Sequence, residues 1–256
     1  LCETANGKPT GRLVHSARRV DDTVHQLDVC LAADLAHAAE AAIALYQSTG
    51  EAAYLHKAIG WMGSLDSAHA DKQRGGYFEN DDTTPGLLVR NRNVQDNAMP
   101  ATNAVALRVF AALAQLTGDM GFLSRAEAIR DALAGMMEKN YPSMTALLDA
   151  ATAGLHPATL VVRTVADDGL AEGETHALVK AAAQHQIVDL LIVELPPGAD
   201  LPHDHPAHAK EIVDGRATAY LCPGQQCLPP VHEAEKLTTY LDDLMSRRQN
   251  AHAPSG

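Results

Sequence analysis

Aromatic residues are scarce in this chain, with three Phe, six Tyr and one Trp among 256 residues. Alanine is plentiful instead, and an alanine-rich, aromatic-poor chain favours helices whose axes approach closely. Basic residues are also few: 20 Lys and Arg stand against 32 Asp and Glu, giving a formal net charge of −12. A phosphate backbone is bound by concentrated Lys and Arg, so nucleic acid is not an expected partner. No apolar run reaches the roughly 18 residues that a membrane helix needs, and nothing at the start reads as a charged-then-apolar leader. Four cysteines, Cys2, Cys30, Cys222 and Cys227, are too sparse for a disulfide framework. The expected setting is therefore a reducing cytoplasm, with Cys222 and Cys227 as buried strand thiols.

What the chain does have is helical periodicity. Leu31, Leu35, Ala38, Ala42 and Leu45 recur at spacings of three and four, predicting a helix over 28–48 that stops at Thr49-Gly50. Leu55, Ile59, Met62 and Leu65 predict a second over 52–68, and similar patterns predict helices over 98–116 and 121–138. LYQSTGEAAYLHKAIGWMGSL at 45–65 aligns without gaps to LAQLTGDMGFLSRAEAIRDAL at 113–133, an offset of 68 residues. Repeated helical hairpins of this kind stack side by side into solenoids or close into rings. Residues 1–26 read as a loop.

After about residue 157 the character changes. TLVVRTV (159–165) and IVDLLIVEL (187–195) read as buried strands, with a helix over 174–186 between them, which makes a βαβ unit. RATAYLC (216–222) predicts a third strand of one mainly parallel sheet. An amphipathic helix over 233–248 follows. The expected division is 1–156 for the hairpins, 157–248 for the α/β module and 249–256 for a frayed tail. No glycine-rich phosphate loop follows either strand of the βαβ unit, so neither a nucleotide nor any other cofactor is expected.

The stretch 75–103, GGYFENDDTTPGLLVRNRNVQDNAMPATN, concentrates polar residues at a loop-to-helix junction. It holds a glycine pair, an aromatic pair, the strand-like run LLV, Arg90 and Arg92, and the cluster Asp96, Asn97, Thr102 and Asn103. GGYF, Asp81-Asp82, LLVR, Asp96, Ala98, Pro100 and Asn103 resemble the central signature of the large thioredoxin-domain proteins related to spermatogenesis-associated protein. Ala33-Asp34-Leu35-Ala36 leading into LYQSTGE, and ATAYLCPGQQCLPPV near the end, are similar to further parts of that family. The resemblance covers residues 27–245. It implies a mainly α fold, a partial (α/α) toroid of helical hairpins joined to a small C-terminal α/β module. Such toroids are similar to those of six-hairpin glycosidases and N-acylglucosamine 2-epimerases, and carbohydrate is the partner that this likeness implies.

The chain also departs from the family. No Cys-x-x-Cys occurs, so the family's N-terminal thioredoxin-like domain is absent from the sequence, and Leu1 reads as the start of a fragment. Asn93 replaces a frequent acid, Leu35 a usual aromatic, and Asn97 and Thr102 a common glycine and serine. Two function classes are open: a carbohydrate-binding or carbohydrate-processing toroid, glycosidase- or epimerase-like if it is an enzyme, and a non-catalytic helical scaffold for a redox partner domain.

Glycoside chemistry needs two carboxyl groups across the scissile bond, and Asp34 and Asp96 stand near the starts of successive helices. Helix capping is the other reading of both. Tyr77, Arg90, Arg92 and Asn103 are the candidate substrate-binding residues: the arginines for a carboxylate or phosphate, Tyr77 for stacking, with Phe78 and Trp61 as further rings. Loop-stapling ion pairs and core packing are their alternatives. His203, Asp204, His205 and His208, with Cys222 and Cys227, suggest zinc, but His205 and His208 are too close for the usual pairing, so no metal is expected. Two hairpins cannot close a ring. The flanks Leu31, Ile43, Val105 and Val109 are therefore expected to lack cover, and the chain to self-associate or to pair with a missing N-terminal part.

Overall fold

A computed structural model describes residues 13–27, 29–82, 84, 86–152, 157–165, 173–187 and 189–251. The expected frayed tail lies largely outside the described residues. They fall into two compact units. One is drawn from Leu1–Ala42, Lys57–Phe110 and Arg125–Ala151, the other from Ile43–His56, Ala111–Ser124 and Thr152–Gly256. Four long helices each contribute residues to both.

The fold is mainly α. Helix α1 (Ala32–Thr49) and α2 (Ala52–Ala68) form one hairpin, and α3 (Thr102–Thr117) and α4 (Met120–Asn140) form the next. A short α5 (Thr145–Thr152), unforeseen in the sequence, follows a 3₁₀ turn. The repeat is physical. Thr49 and Thr117 each bond back to the carbonyl four residues earlier, Leu45 and Leu113, at 2.8 and 2.7 Å. Each hydroxyl then receives the N–H two residues on, from Glu51 and Asp119. Gly50 and Gly118, one offset apart, both adopt positive φ, +67° and +76°, to turn the chain into the second helix. A further pair at the same offset, Glu40 on α1 and Arg108 on α3, joins the two repeats through the Arg108 Nε–Glu40 bond of 2.9 Å.

In the first unit, α1 and α2 bury Leu35, Ala36, Ala39, Met62 and Leu65. The face of α1 runs through Leu35, Ala39, Ala42 and Tyr46, rotated from the expected one: Leu45 is largely exposed. α3 is buried nearly all round, and for that reason Val105 and Val109, like Ile43, are covered rather than bare as expected. Leu31 is partly buried. α3 begins at Thr102, because Ala98–Pro100 belongs to an exposed turn. Leu87, Leu88 and Val89 form no strand, and Leu88 is 98% exposed. Where a loop was expected near the start, Ser16–Val20 (β1) and Thr23–Leu27 (β2) form an antiparallel hairpin.

The second unit holds the α/β module. β3 (Ala158–Arg163), α6 (Glu174–Gln184) and β4 (Leu190–Leu195) make the βαβ unit, with β3 and β4 parallel in register Ala158↔Leu190. β5 (Thr218–Pro223) pairs with β3 from the other side, giving the order β4-β3-β5. That pairing is antiparallel, so the sheet is mixed and not mainly parallel. α6 and α7 (Ala234–Ala251) cover it through Leu160, Val162, Leu178, Leu221, Leu237 and Leu241. Cys222 and Cys227 are joined as a disulfide rather than standing as thiols. The tight return after β5, held by the Leu228 N–H to the Leu221 carbonyl at 2.8 Å, brings the two together. No helix among the described residues is long and apolar enough to cross a membrane.

Candidate functional site

The glycine–aromatic stretch is built around Asn103, which has no exposed surface. Its Oδ1 accepts the Tyr77 N–H at 2.8 Å, and its Nδ2 donates to the carbonyls of Tyr77 and Asn93 at 3.0 and 2.9 Å. One amide thus holds the incoming loop and the outgoing loop against the start of α3. Gly76 permits this, since a Cβ there would lie 2.8 Å from Asn103 Oδ1. Tyr77 is buried, stacks on Phe110 at 6.0 Å and donates its hydroxyl to Asp66, which also takes Arg125 Nε at 2.5 Å. Burial pushes the Tyr77 phenol far up, helped by its bond to Asp66. Tyr77 and Asn103, candidate ligand contacts in the sequence, are therefore buried framework: their polar atoms bond to the chain itself.

Both candidate carboxylates cap helices. Asp34 accepts the Leu31 N–H at 2.8 Å, the reciprocal bond of a capped helix start, and its Oδ1 lies 3.1 Å from His15 Nδ1. Asp96 accepts the Ala101 N–H at 3.0 Å, and also the Thr145 hydroxyl and the Ala146 N–H at 3.1 and 2.8 Å. It thereby ties the loop before α3 to the start of α5. Burial alone would raise the Asp96 carboxyl, but the bonds from Ala146, Ala101 and Thr145 outweigh it and hold it below the usual range. The two carboxylates share no hydrogen-bond partner in these contacts.

Glu79, inside the quoted motif but not singled out in the sequence, joins the two repeats. Its carboxylate takes the Ala33 N–H at 3.2 Å and the Thr102 hydroxyl at 2.8 Å, at the starts of α1 and α3. Two helix N-termini facing one carboxylate suit the partial positive charge each carries. An isolated acid in a loop carries no periodic signal, so only its place in the motif could have marked it.

Beside this junction lies a pocket of about 270 Å³, lined by Leu13, Cys30, Leu35, Trp61, Ser64, Ser67, Ala68, His69 and Asp81. Trp61, Ser64 and Ala68 fall on one face of α2, off its apolar stripe, a spacing that was legible. His69 is buried, with Nδ1 3.2 Å from the Phe78 carbonyl. Burial lowers its pKa despite that bond, so it is neutral near pH 7. Asp81 accepts the Thr84 hydroxyl at 2.9 Å.

A second pocket, about 340 Å³, is lined by Asp71, Arg74, Phe78, Arg90, Asn91 and Arg92, among others. Arg90 donates to the Asn80 and Ala68 carbonyls, both at 2.9 Å, and stacks over Phe78 at 4.3 Å. Arg92 donates to the Gly75 carbonyl at 2.8 Å and lies 3.6 Å from Asp71. Both arginines staple the loop while lining this pocket. The structure thus brings Arg90 and Arg92 together and separates them in role from Asp34 and Asp96.

In the second unit, the histidine cluster is not assembled around a common point: among the described residues no group of three or more His, Cys, Asp or Glu could hold a metal ion. His205 is buried, with Nδ1 accepting the Ala207 N–H at 3.0 Å, and His208 Nδ1 lies 2.9 Å from the Leu201 carbonyl.

No protein-family model matches the chain. It is distantly homologous to spermatogenesis-associated protein 20 of Homo sapiens, 26% identical over 212 residues, which cover 81% of this chain and 27% of that protein. The chain thus spans 27% of the length of its curated relative. Among solved structures, it is similar to a family 76 glycoside hydrolase (mannosidase) of Bacteroides thetaiotaomicron VPI-5482, at 14% identity and TM-score 0.40, over 88% of this chain and 57% of that one. It is also similar to a family 76 glycoside hydrolase from a bovine Bacteroides thetaiotaomicron strain, at 14% identity and TM-score 0.41, over 87% and 45%.

Proposed function

We propose that the hairpin unit binds a small carbohydrate in the pocket at Trp61. One observation carries this reading: the chain's single tryptophan lies in a pocket with Ser64, Ser67, neutral His69 and Asp81. A sugar ring presents apolar C–H faces that pack on an aromatic ring, and hydroxyls that need both donors and acceptors. Trp61 supplies the first; the serines, the neutral imidazole and the carboxylate supply the second. At about 270 Å³ the pocket sits at the lower edge of ligand pockets, a size suited to one sugar unit.

Binding is favoured over hydrolysis. A glycosidase needs one carboxyl group kept protonated by a raised pKa, whereas the Asp96 carboxyl is held low by its bonds to Ala146, Ala101 and Thr145. Asp34 does not line the pocket, although the next residue, Leu35, does. Arg90 supports the pocket wall through the Ala68 carbonyl, whereas Arg92 is tied to the Gly75 carbonyl and lines the second pocket.

The test is a thermal-shift screen of the whole chain against mono- and disaccharides. At least one sugar raises the midpoint saturably, and Trp61→Ala abolishes the rise. No rise with any sugar, or an undiminished rise in Trp61→Ala, contradicts the proposal. A cytoplasmic setting, expected from the sequence, requires the Cys222–Cys227 bond to be open in the cell, and thiol labelling in fresh extract checks it. Labelled Cys222 and Cys227 support it; a protected disulfide places the protein in an oxidising compartment.

A further inference from the structure

Arg163 ends β3, the central strand of the mixed sheet, and only 4% of it is exposed. One nitrogen, Nη1, donates to the Ala199 carbonyl at 2.6 Å. Among the described residues, Nε and Nη2 are buried with no partner. The Tyr46 hydroxyl, on a ring with no exposed surface, is also buried without a partner among the described residues. The Arg163 charge reaches Tyr46: burial pushes that phenol up to about 12, and the guanidinium pulls against the rise. It pulls on the raised Tyr220 phenol in the same way.

A guanidinium does not lose its proton in a protein, so it cannot escape burial by becoming neutral. Isolated buried charge is among the most unfavourable arrangements a fold can hold. The chain supplies partial relief. Tyr46 lies in the last turn of α1, and the partial negative charge of that helix end offsets some of the guanidinium charge. Glu194, on the paired strand, does not supply the rest. It stands opposite Val162 in the ladder, one residue out of step with Arg163, and so faces the other side of the sheet. Burial raises its carboxyl, and His176 offsets only part of that rise. The orphaned groups can all donate, so the missing component is an acceptor with negative charge. Their place also fits, since open α/β sheets bind ligands beyond the carboxyl ends of their parallel strands, and Arg163 and Leu195 are those ends here.

We propose that Arg163 and Tyr46 form an enclosed site for a small oxyanion, a carboxylate or a phosphate group, at the carboxyl end of β3. The site is independent of the carbohydrate pocket. Its test uses the whole chain in zwitterionic buffer, with potassium chloride as reference and acetate or inorganic phosphate exchanged in at equal ionic strength. The unfolding midpoint rises saturably with at least one of the two oxyanions. A response to phosphate alone assigns the site to a phosphate group, and a response to acetate assigns it to carboxylates. Arg163→Met abolishes the rise, and its midpoint in chloride equals or exceeds that of the parent chain, because the unbalanced buried charge is gone. Tyr46→Phe keeps the chloride midpoint and weakens anion affinity by about fivefold. No rise with either anion, or a rise that persists in Arg163→Met, overturns the proposal. So does an Arg163→Met chain that is destabilised or unfolded in chloride, since the guanidinium would then be satisfied within the chain.

Discussion

Asn103 makes three hydrogen bonds from a position with no exposed surface. Asn103→Ala leaves the Tyr77 N–H, the Tyr77 carbonyl and the Asn93 carbonyl without those partners. A loss of about 2–4 kcal/mol in urea unfolding is expected, since each buried orphan carries its own desolvation cost. His205 gives a pH dependence. Burial, and then the charge of His208, lower its pKa to about 4 in the fold, from 6.5 in the open chain. Above pH 6.5 both states are neutral and the residue contributes no slope. Between 6.5 and 4 the unfolded chain takes up the proton and the folded chain does not, so stability falls as pH falls, by roughly 3 kcal/mol in all. His205→Asn retains an acceptor for the Ala207 N–H and removes that titration. Urea curves from pH 7 to pH 4.5 should therefore be flatter in the variant by about one proton; an unchanged slope means that another group carries it.

At the scale of elements, the repeat is carried by turn chemistry as much as by apolar spacing. A Cβ on Gly118 would lie 2.2 Å from the Asp204 carbonyl oxygen, and one on Gly50 would lie 2.7 Å from that of Glu194. Gly86 has a similar φ of +74° and open space around it. Gly86→Ala should therefore cost about 1 kcal/mol, from conformation alone. Gly50→Ala and Gly118→Ala should each cost about 3 kcal/mol or more, because backbone must also move. Equal losses at all three would show that the turns are not packed as described. These turns were legible because Thr-Gly at a fixed offset is a local signal. The sense of β5 was not, since a short buried run reads the same whether its neighbour is parallel or antiparallel. The Cys222–Cys227 bond was missed for a related reason: a return after a strand is set by the pairing partner. Glu79 escaped notice because its two partners, Ala33 and Thr102, are brought to it only by the fold.

At the scale of the molecule, the polar density of residues 75–103 divides into framework and pocket. Asn103, Tyr77 and Asp96 hold helices in place, while Asp81 reaches the pocket whose other walls include Trp61 and His69, outside that stretch. The sequence showed the polar density of this stretch but not which of its groups are framework, because burial decides which polar groups are open, and burial is a property of the whole fold. Association is proposed through a different surface from the one expected. Ile43, Val105 and Val109 are covered, whereas Leu88 and Val89 are 98% and 79% exposed. If they meet a second copy, Leu88→Ser should shift sedimentation at high concentration towards the monomer; a parent chain already monomeric there removes the proposal. The central claim is the carbohydrate pocket, and its most direct measurement is intrinsic fluorescence, because Trp61 is the only tryptophan. Titration with the sugar that raises the unfolding midpoint should give a saturable change in emission, with Asp81→Ala weakening the apparent affinity about tenfold or more. Emission that stays constant, drifts linearly without saturation, or titrates identically in Asp81→Ala would contradict a sugar bound at Trp61.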